Sequence, residues 1–191
     1  GDGGMITTNN EGFYNRLKLL RQHGMSVNDR VRHQSSKIIF EDHLEVGYNY
    51  RMTDIQASVG IKQLERLNWL VDERRKIASK YNQAFSIFNK ISIPFEPSGC
   101  KTNWQSYLLF IKPESGLDRN AIMQELLDKG ISTRRGIMTT HRETAYKNEY
   151  PNLKLPVSEI CSDQAIILPL YVPMTNSEIE TVIREVSALV Q

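Results

Sequence analysis

The segment from residue 47 to residue 60, GYNYRMTDIQASVG, fixes where a long helix begins. Thr53 is a natural N-cap, because its side-chain oxygen can accept a hydrogen bond from an amide of the first turn. Gln56, three residues later, completes a capping box that satisfies two backbone donors at the helix start. We therefore expect Asn49 and Arg51 to lie just ahead of a fixed helix start, on a segment that cannot drift far.

Asn49 and Arg51 admit two interpretations. Arginine offers a forked charge and asparagine a neutral donor, so a rigidly mounted Asn-x-Arg pair suits an anion. An ordinary turn with a surface arginine contains the same residue types, and short motifs often match by chance. On these residues alone, the ordinary turn is the more common of the two.

The composition limits the class of protein. A chain of 191 residues is long enough for one full domain, or for one domain with part of another. The net charge of +2 gives no electrostatic reason to expect nucleic acid or an anionic membrane as a partner. No apolar run approaches the ~20 residues of a transmembrane helix. Cys100 and Cys161 form no CxxC and no cluster with histidine, so we expect no metal site and a soluble cytoplasmic protein.

The chain before residue 47 resembles the end of a domain. Residues 5–8 are typical of a short strand entered from the glycine turn at residues 1–4. A helix is predicted from residue 11 to Gly24, and residues 25–46 are predicted to be a loop. Within that loop we expect Arg30, Arg32 and His33 to form a solvated surface rather than an anion site.

The pattern after residue 53 predicts an α/β domain. The helical periodicity runs to about Phe88, so we expect either a kink near Asn68 and Trp69 or two abutting helices. Beyond it, strands alternate with helices, which favours a small sheet covered by helices beside one long helix. The strands are predicted at residues 104–111, 131–135 and 165–169, and the helices after Asp118, from Pro156 and after Thr175.

A second polar cluster follows the predicted strand at residues 131–135. Arg134, Arg135, Gly136 and His141 lie where a strand runs into a glycine, and a substrate anion could be held there. An exposed strand end whose arginines extend into solvent explains the same residues equally well. No nucleophile elbow, phosphate-binding loop or paired acids appear elsewhere, so the residues nominate no catalytic group.

Five blocks of the chain, taken in order, resemble one family. The blocks are GDGGMI at residues 1–6, LRQHG at 20–24, GYNYRMTDIQA at 47–57, RRGIM at 134–138 followed by His141, and LPL at 168–170. Together they resemble the C-terminal half of the DegT/StrS-type sugar aminotransferases, pyridoxal-phosphate (PLP) enzymes of the aspartate aminotransferase fold, fold type I. The resemblance spans essentially the whole chain, and the GYNYRMTDIQ block is highly specific to the family.

The resemblance implies a division of the chain. Residues 1–46 would be a strand-helix remnant of the large PLP-binding domain with an interface loop, and residues 47–191 the small C-terminal α/β domain. Because an unpaired strand edge invites association, we expect residues 1–46 to be partly disordered, displaced or swapped with another chain. Family members are dimers with shared active sites, so a homodimer is expected.

The resemblance also implies a reaction. Family members transfer an amino group from glutamate, or sometimes glutamine, to a 3-keto or 4-keto nucleotide sugar, with PLP as cofactor. The block that matches Asn49 and Arg51 reaches into the neighbouring subunit's site, where the asparagine contacts the cofactor phosphate. Arg134 and His141 match a region near the nucleotide-sugar side of the pocket.

The resemblance nominates no catalytic residue in this chain. In the family the Schiff-base lysine lies a few residues before the block that matches residues 1–4, and Lys18 and Lys37 match no catalytic position. We therefore interpret the chain as the C-terminal part of such an enzyme, inactive and without PLP when alone. The alternative is a non-catalytic module, derived from the family, that dimerises or binds a partner.

Overall fold

The computed structural model describes residues 3–27 and 29–191, and of residues 29, 30 and 33 it describes the backbone alone. The glycine turn predicted at residues 1–4 and the solvated surface predicted for Arg30 and His33 thus lie partly outside the described residues. The chain forms two compact units, Gly1–Arg66 and Leu67–Gln191. The division predicted at residue 46 concerns the domains of a longer enzyme, and it stays a prediction.

The first unit contains the helices α1 (Glu11–Leu20), α2 (Asp29–Gln34) and α3 (Asp54–Glu65). The N-terminal cap of α1 is Asn10, whose side-chain oxygen accepts a hydrogen bond from the Phe13 amide at 3.0 Å. Residues 25–46 were predicted to be a loop, but they contain helix α2. The sequence did not indicate this helix, because six residues are too few to show a helical period.

The prediction of a strand at residues 5–8 is wrong. The backbone from residue 3 to residue 8 is irregular, and the described part of the first unit contains only isolated bridges between extended residues. An extended segment becomes a strand only where a neighbour supplies its hydrogen bonds. Apolar side chains of this unit stay uncovered as well. Among the described residues before Leu67 no apolar side chain is buried, and Phe13 is 64% exposed.

The second unit is a small antiparallel sheet with helices, which confirms the predicted α/β class. Its helices are α4 (Leu67–Phe85), α5 (Arg119–Asp128), α6 (Pro156–Gln164) and α7 (Asn176–Val190). Its strands are β1 (Ile91–Ser92), β2 (Tyr107–Ile111), β3 (Arg134–Arg135) and β4 (Ala165–Leu168), paired in the order β1-β2-β4-β3. Every pair is antiparallel.

Two predicted strands are shorter than expected, for local reasons. Trp104 has a φ of +48°, a left-handed conformation that cannot continue a strand, so β2 begins only at Tyr107. Ile131 donates its amide to the Leu126 carbonyl at 2.8 Å, which ties it to the end of α5 and leaves β3 two residues long. The long helical stretch is two abutting helices, as predicted, with the break at Arg66.

The core of the second unit lies between the sheet and two helices. Alternate residues of β2 are fully buried, as the period of a strand requires. They pack with buried residues at helical spacing on α4 and α7; together these core residues are Tyr107, Leu109, Ile111, Ala78, Tyr81, Phe85, Ile179, Val182, Val186 and Val190. The buried hydroxyls are satisfied, since Tyr81 donates to the Pro169 carbonyl at 2.9 Å and Tyr107 to Asn82 Oδ1 at 2.7 Å.

Candidate functional site

The backbone that carries Asn49 is paired with the chain that leaves α1. Tyr48 donates its amide to the Leu20 carbonyl at 2.7 Å and accepts at its own carbonyl from the His23 amide at 3.0 Å. Tyr50 donates its amide to the Arg21 carbonyl at 3.0 Å. These bonds hold residues 48–50 extended, so the position of Asn49 is set by the LRQHG block as well as by its own.

Two glycines allow this pairing. A Cβ on Gly47 would lie 2.1 Å from the Gly24 nitrogen, and a Cβ on Gly24 would lie 2.0 Å from the Glu45 carbonyl oxygen. Neither position can therefore hold a larger residue without the two backbones moving apart. Gly24 also has a φ of +69°, which glycine adopts without strain. The LRQHG block and the GYNYRMTDIQA block can therefore lie side by side, because their backbones meet at Gly24 and Gly47.

Side chains alternate along this extended segment. The Tyr48 and Tyr50 rings stack, with centroids 5.0 Å apart and planes at 6°, so they share one face. Asn49 and Arg51 occupy the alternate positions and are exposed. Because alternate residues of an extended segment face opposite sides, we expect this amide and guanidinium to share a face and to form a donor pair suited to an anion.

The helix behind this pair begins as predicted. Gln56 donates its amide to Thr53 Oγ1 at 3.3 Å, and Thr53 donates its amide to Gln56 Oε1 at 3.0 Å. Both halves of the capping box are present, so α3 starts at a fixed residue. The helix holds Asn49 and Arg51 from one side while the backbone pairing holds them from the other.

A cavity of about 590 Å³ lies in the second unit, between α6 and the segment that follows β3. Its walls are mainly apolar, with hydroxyl and imidazole groups among them. The lining residues are Leu108, Ile137, Met138, Thr139, Thr140, His141, Tyr150, Leu153, Leu155, Val157, Ser158, Cys161 and Ser162.

His141 lines this cavity and is 8% exposed. Its Nε2 lies 2.9 Å from Glu159 Oε1, and the same oxygen accepts the Leu155 amide at 2.8 Å. The Leu155 amide and the His141 ring together lower the pKa of the Glu159 carboxyl, so the carboxylate form is favoured. A buried imidazole is thus bonded to an ionised acid at the wall of a cavity.

Gly136 lets the segment of His141 approach α6. Its amide donates to the Ala165 carbonyl at 2.9 Å. A Cβ at this position would lie 2.6 Å from the Ala165 Cβ and 3.1 Å from the Cys161 carbonyl oxygen. The glycine of the RRGIM block therefore has a packing role, which brings residues 137–142 against the helix that carries Glu159.

The arginines before this glycine are exposed on β3. Arg135 forms an ion pair with Glu143 at 3.1 Å, while Arg134 is not among the residues that line the cavity. The structure therefore does not bring Arg134 and His141 to one cavity wall, and a role for Arg134 in binding substrate stays a prediction. Glu159 was missed by the sequence analysis, because a single acid in a short helix carries no pattern of its own.

The described residues contain no group of three or more His, Cys, Asp or Glu side chains that could hold a metal ion. None of the helices they form combines the length and the apolar character that crossing a bilayer requires.

Comparison with known proteins assigns the chain to a family. The model of the DegT/DnrJ/EryC1/StrS aminotransferase family matches residues 1–187. The chain belongs to this family. The match confirms the resemblance carried by the sequence blocks, and the DegT/DnrJ/EryC1/StrS family is PLP-dependent.

Solved structures of similar proteins share the fold. TlmJ, an aminotransferase from Streptoalloteichus hindustanus, matches with a TM-score of 0.78 at 26% identity, over 94% of this chain and 45% of that chain. Helicobacter pylori PseC, an aminotransferase involved in the biosynthesis of pseudoaminic acid, matches with a TM-score of 0.83 at 19% identity, over 96% and 47%. The PLP form of Spr1654 from Streptococcus pneumoniae matches with a TM-score of 0.79 at 24% identity, over 95% and 44%.

PseC and Spr1654, at 19% and 24% identity, show only that the fold is shared. The chain spans less than half the length of each of these aminotransferase structures, although nearly all of the chain is matched.

Proposed function

We propose that this chain is the C-terminal part of a PLP-dependent aminotransferase that moves an amino group from glutamate to a keto-deoxy nucleotide sugar in the cytoplasm. The observation that carries the proposal is the exposed Asn49–Arg51 pair, mounted between the backbone pairing of residues 48–50 and the capped start of α3. The family match over residues 1–187 supports the reaction class.

The donor pair fits the phosphate of PLP. The Asn49 amide offers a neutral N–H and Arg51 offers two parallel N–H groups with a positive charge, which together suit a phosphate dianion. When bound, PLP supplies the electron sink that amino-group transfer needs. In this proposal Asn49 and Arg51 bind and orient the phosphate in the site of a second copy, so that two copies share two sites.

The first unit has an exposed apolar surface to which a second copy of the chain would bind. Apolar side chains of the first unit are exposed in large numbers, including Tyr50 at 73%, and uncovered apolar surface of this extent favours association. We propose that a homodimer and the remainder of the enzyme cover it.

The nucleotide sugar would meet the second unit. His141, at the wall of the cavity, and Arg134, on the exposed strand β3, are the residues that we propose for it. Arg134 would bind a phosphate of the nucleotide, because an exposed guanidinium suits that group.

The lysine that carries PLP would lie outside these 191 residues, since the chain covers about 45% of its structural relatives. By itself the chain would then neither hold PLP covalently nor transfer amino groups.

The test uses the chain joined to the polypeptide encoded upstream of it. Asn49→Ala and Arg51→Ala are compared with Asn15→Ala, a control on the exposed surface of α1. We expect each site variant to weaken PLP binding by about 10- to 100-fold, as the loss of a hydrogen bond to a charged group does. Release of 2-oxoglutarate from glutamate, with a panel of keto nucleotide sugars, measures the reaction. Unchanged PLP affinity in both site variants would overturn the assignment.

A further inference from the structure

We propose that Glu159 is a positioning residue. It holds the His141 imidazole with its hydrogen on Nε2, and so leaves Nδ1 to accept a hydrogen bond from a hydroxyl group of a hexose in the cavity. The hexose is taken to be the sugar of the nucleotide-sugar substrate, and this identity rests on the proposed function.

The first step concerns the tautomer of the imidazole. An ionised carboxylate has only acceptors, so a ring nitrogen 2.9 Å from Glu159 Oε1 must carry a hydrogen. The Leu155 amide donates to the same oxygen and keeps the carboxylate in place. In a neutral imidazole one nitrogen donates and the other accepts, so Nδ1 is the acceptor.

The second step concerns the orientation of the ring. His141 lies in a short 3-10 helix, Thr140–Arg142, and its side chain is almost fully buried. The next residue, Arg142, forms an ion pair with Asp163 of α6 at 2.9 Å. Burial and this tie to α6 both oppose rotation of the ring. Within residues 3–27 and 29–191 the structure records no hydrogen bond to Nδ1, so this nitrogen is left for a ligand.

The third step concerns the chemistry of the cavity. None of its described lining side chains is an Asp, Glu, Lys or Arg, while several carry hydroxyl groups. Such walls suit an uncharged ring with hydroxyl groups better than a diphosphate, which needs cations or several amide donors. The volume of about 590 Å³ falls within the range of ordinary small-molecule sites.

The test begins with the unaltered chain, labelled with ¹⁵N. A long-range ¹H–¹⁵N spectrum distinguishes a ring nitrogen that carries hydrogen from one that does not. Only four histidines are present, and the signals lost in a His141→Gln variant identify those of His141. We expect the hydrogen on Nε2. A hydrogen on Nδ1 in the neutral ring would overturn the proposal, whatever the reaction of the enzyme proves to be.

Variants separate a positioning role from a merely structural one. Glu159→Gln keeps an acceptor and should keep the tautomer, whereas Glu159→Leu should let both tautomers appear. Glu180→Gln, which changes an exposed carboxylate on α7 outside the cavity, serves as the control, with the tautomer unchanged. A Glu159→Leu chain in which the hydrogen stays on Nε2 alone would contradict the proposal.

The ligand is tested with UDP-glucose and with UDP as probes. We expect UDP-glucose, but not UDP, to shift the Nδ1 signal, and Glu159→Leu to weaken UDP-glucose binding by roughly three- to tenfold, the range for one hydrogen bond. Equal shifts with both probes, or none, would overturn the hexose assignment. Neither result depends on amino transfer, so failure here is distinguishable from failure of the proposed function.

Discussion

Arg75 of α4 and Glu96 form a two-pronged ion pair, with Nη1 and Nη2 lying 2.8 Å and 2.9 Å from the two carboxylate oxygens. Glu96 also accepts the Thr102 amide, and Arg75 donates to the Thr102 carbonyl at 2.7 Å. The pair thus ties the long irregular segment between β1 and β2 to α4. Its geometry is that of the stronger class of charged contacts.

This pair predicts a stability change in acid. Arg75, with help from the Thr102 amide, lowers the pKa of Glu96 from its ordinary 4.5 to about 2. A lowered pKa in the folded state stabilises the fold above the unfolded value, and this stabilisation is lost as pH falls from about 4.5 towards 2. Thermal unfolding from pH 6 to pH 2 should show a smaller loss of Tm for Glu96→Gln than for the unaltered chain.

The control is Glu73→Gln, which removes a carboxylate paired with Lys76 on the exposed surface of α4. Exposed pairs contribute little, so its acid profile should follow that of the unaltered chain. Parallel profiles for Glu96→Gln and the unaltered chain would mean that the Arg75 contact does not stabilise the fold.

Gly136→Ala should destabilise the second unit by about 1–3 kcal/mol, the usual range for overpacking. The added methyl would meet the Ala165 Cβ at 2.6 Å and must push the segment of His141 away from α6. Urea unfolding measures the change. Gly60→Ala provides the comparison, because its added methyl meets nothing within 4 Å and should stabilise α3 by about 0.5–1 kcal/mol. A neutral Gly136→Ala would show that the close approach is not required.

Tyr81→Phe should cost about 1 kcal/mol, because it removes a hydrogen bond and leaves the Pro169 carbonyl without that donor. Burial also raises the pKa of the Tyr81 hydroxyl above its ordinary 10, so this hydroxyl stabilises the fold below pH 10 and less above it. Urea unfolding at pH 7 and at pH 11 should show a smaller difference between the variant and the unaltered chain at the higher pH. Tyr146→Phe, at an exposed position, should leave stability unchanged at both.

Local signals in the sequence predicted most of the second unit. The caps of α5 and α7, at Asp118 and Thr175, are read directly from residue types, and both are present. The capping box at Thr53 is another such signal, and it fixes the helix start behind Asn49. Such signals act within one turn of a helix, so they survive without knowledge of distant residues.

What depended on distant contacts was not predictable. Residues 5–8 have the composition of a strand but no described partner, and Trp104 has strand propensity but a positive φ. The bond between His141 and Glu159 joins residues 18 apart through the packing of Gly136 on β4. Tertiary contact decided each of these cases, and no local pattern encodes it.

Addition of PLP to the purified 191-residue chain, followed by borohydride reduction and peptide mass spectrometry, tests most directly the claim that these residues do not supply the lysine that carries the cofactor. We predict that no single lysine, Lys18 and Lys37 included, gains a pyridoxyl group stoichiometrically. At one equivalent of PLP, complete modification of one lysine in the unaltered chain, lost in Asn49→Ala, would contradict this and make the chain a self-sufficient cofactor site.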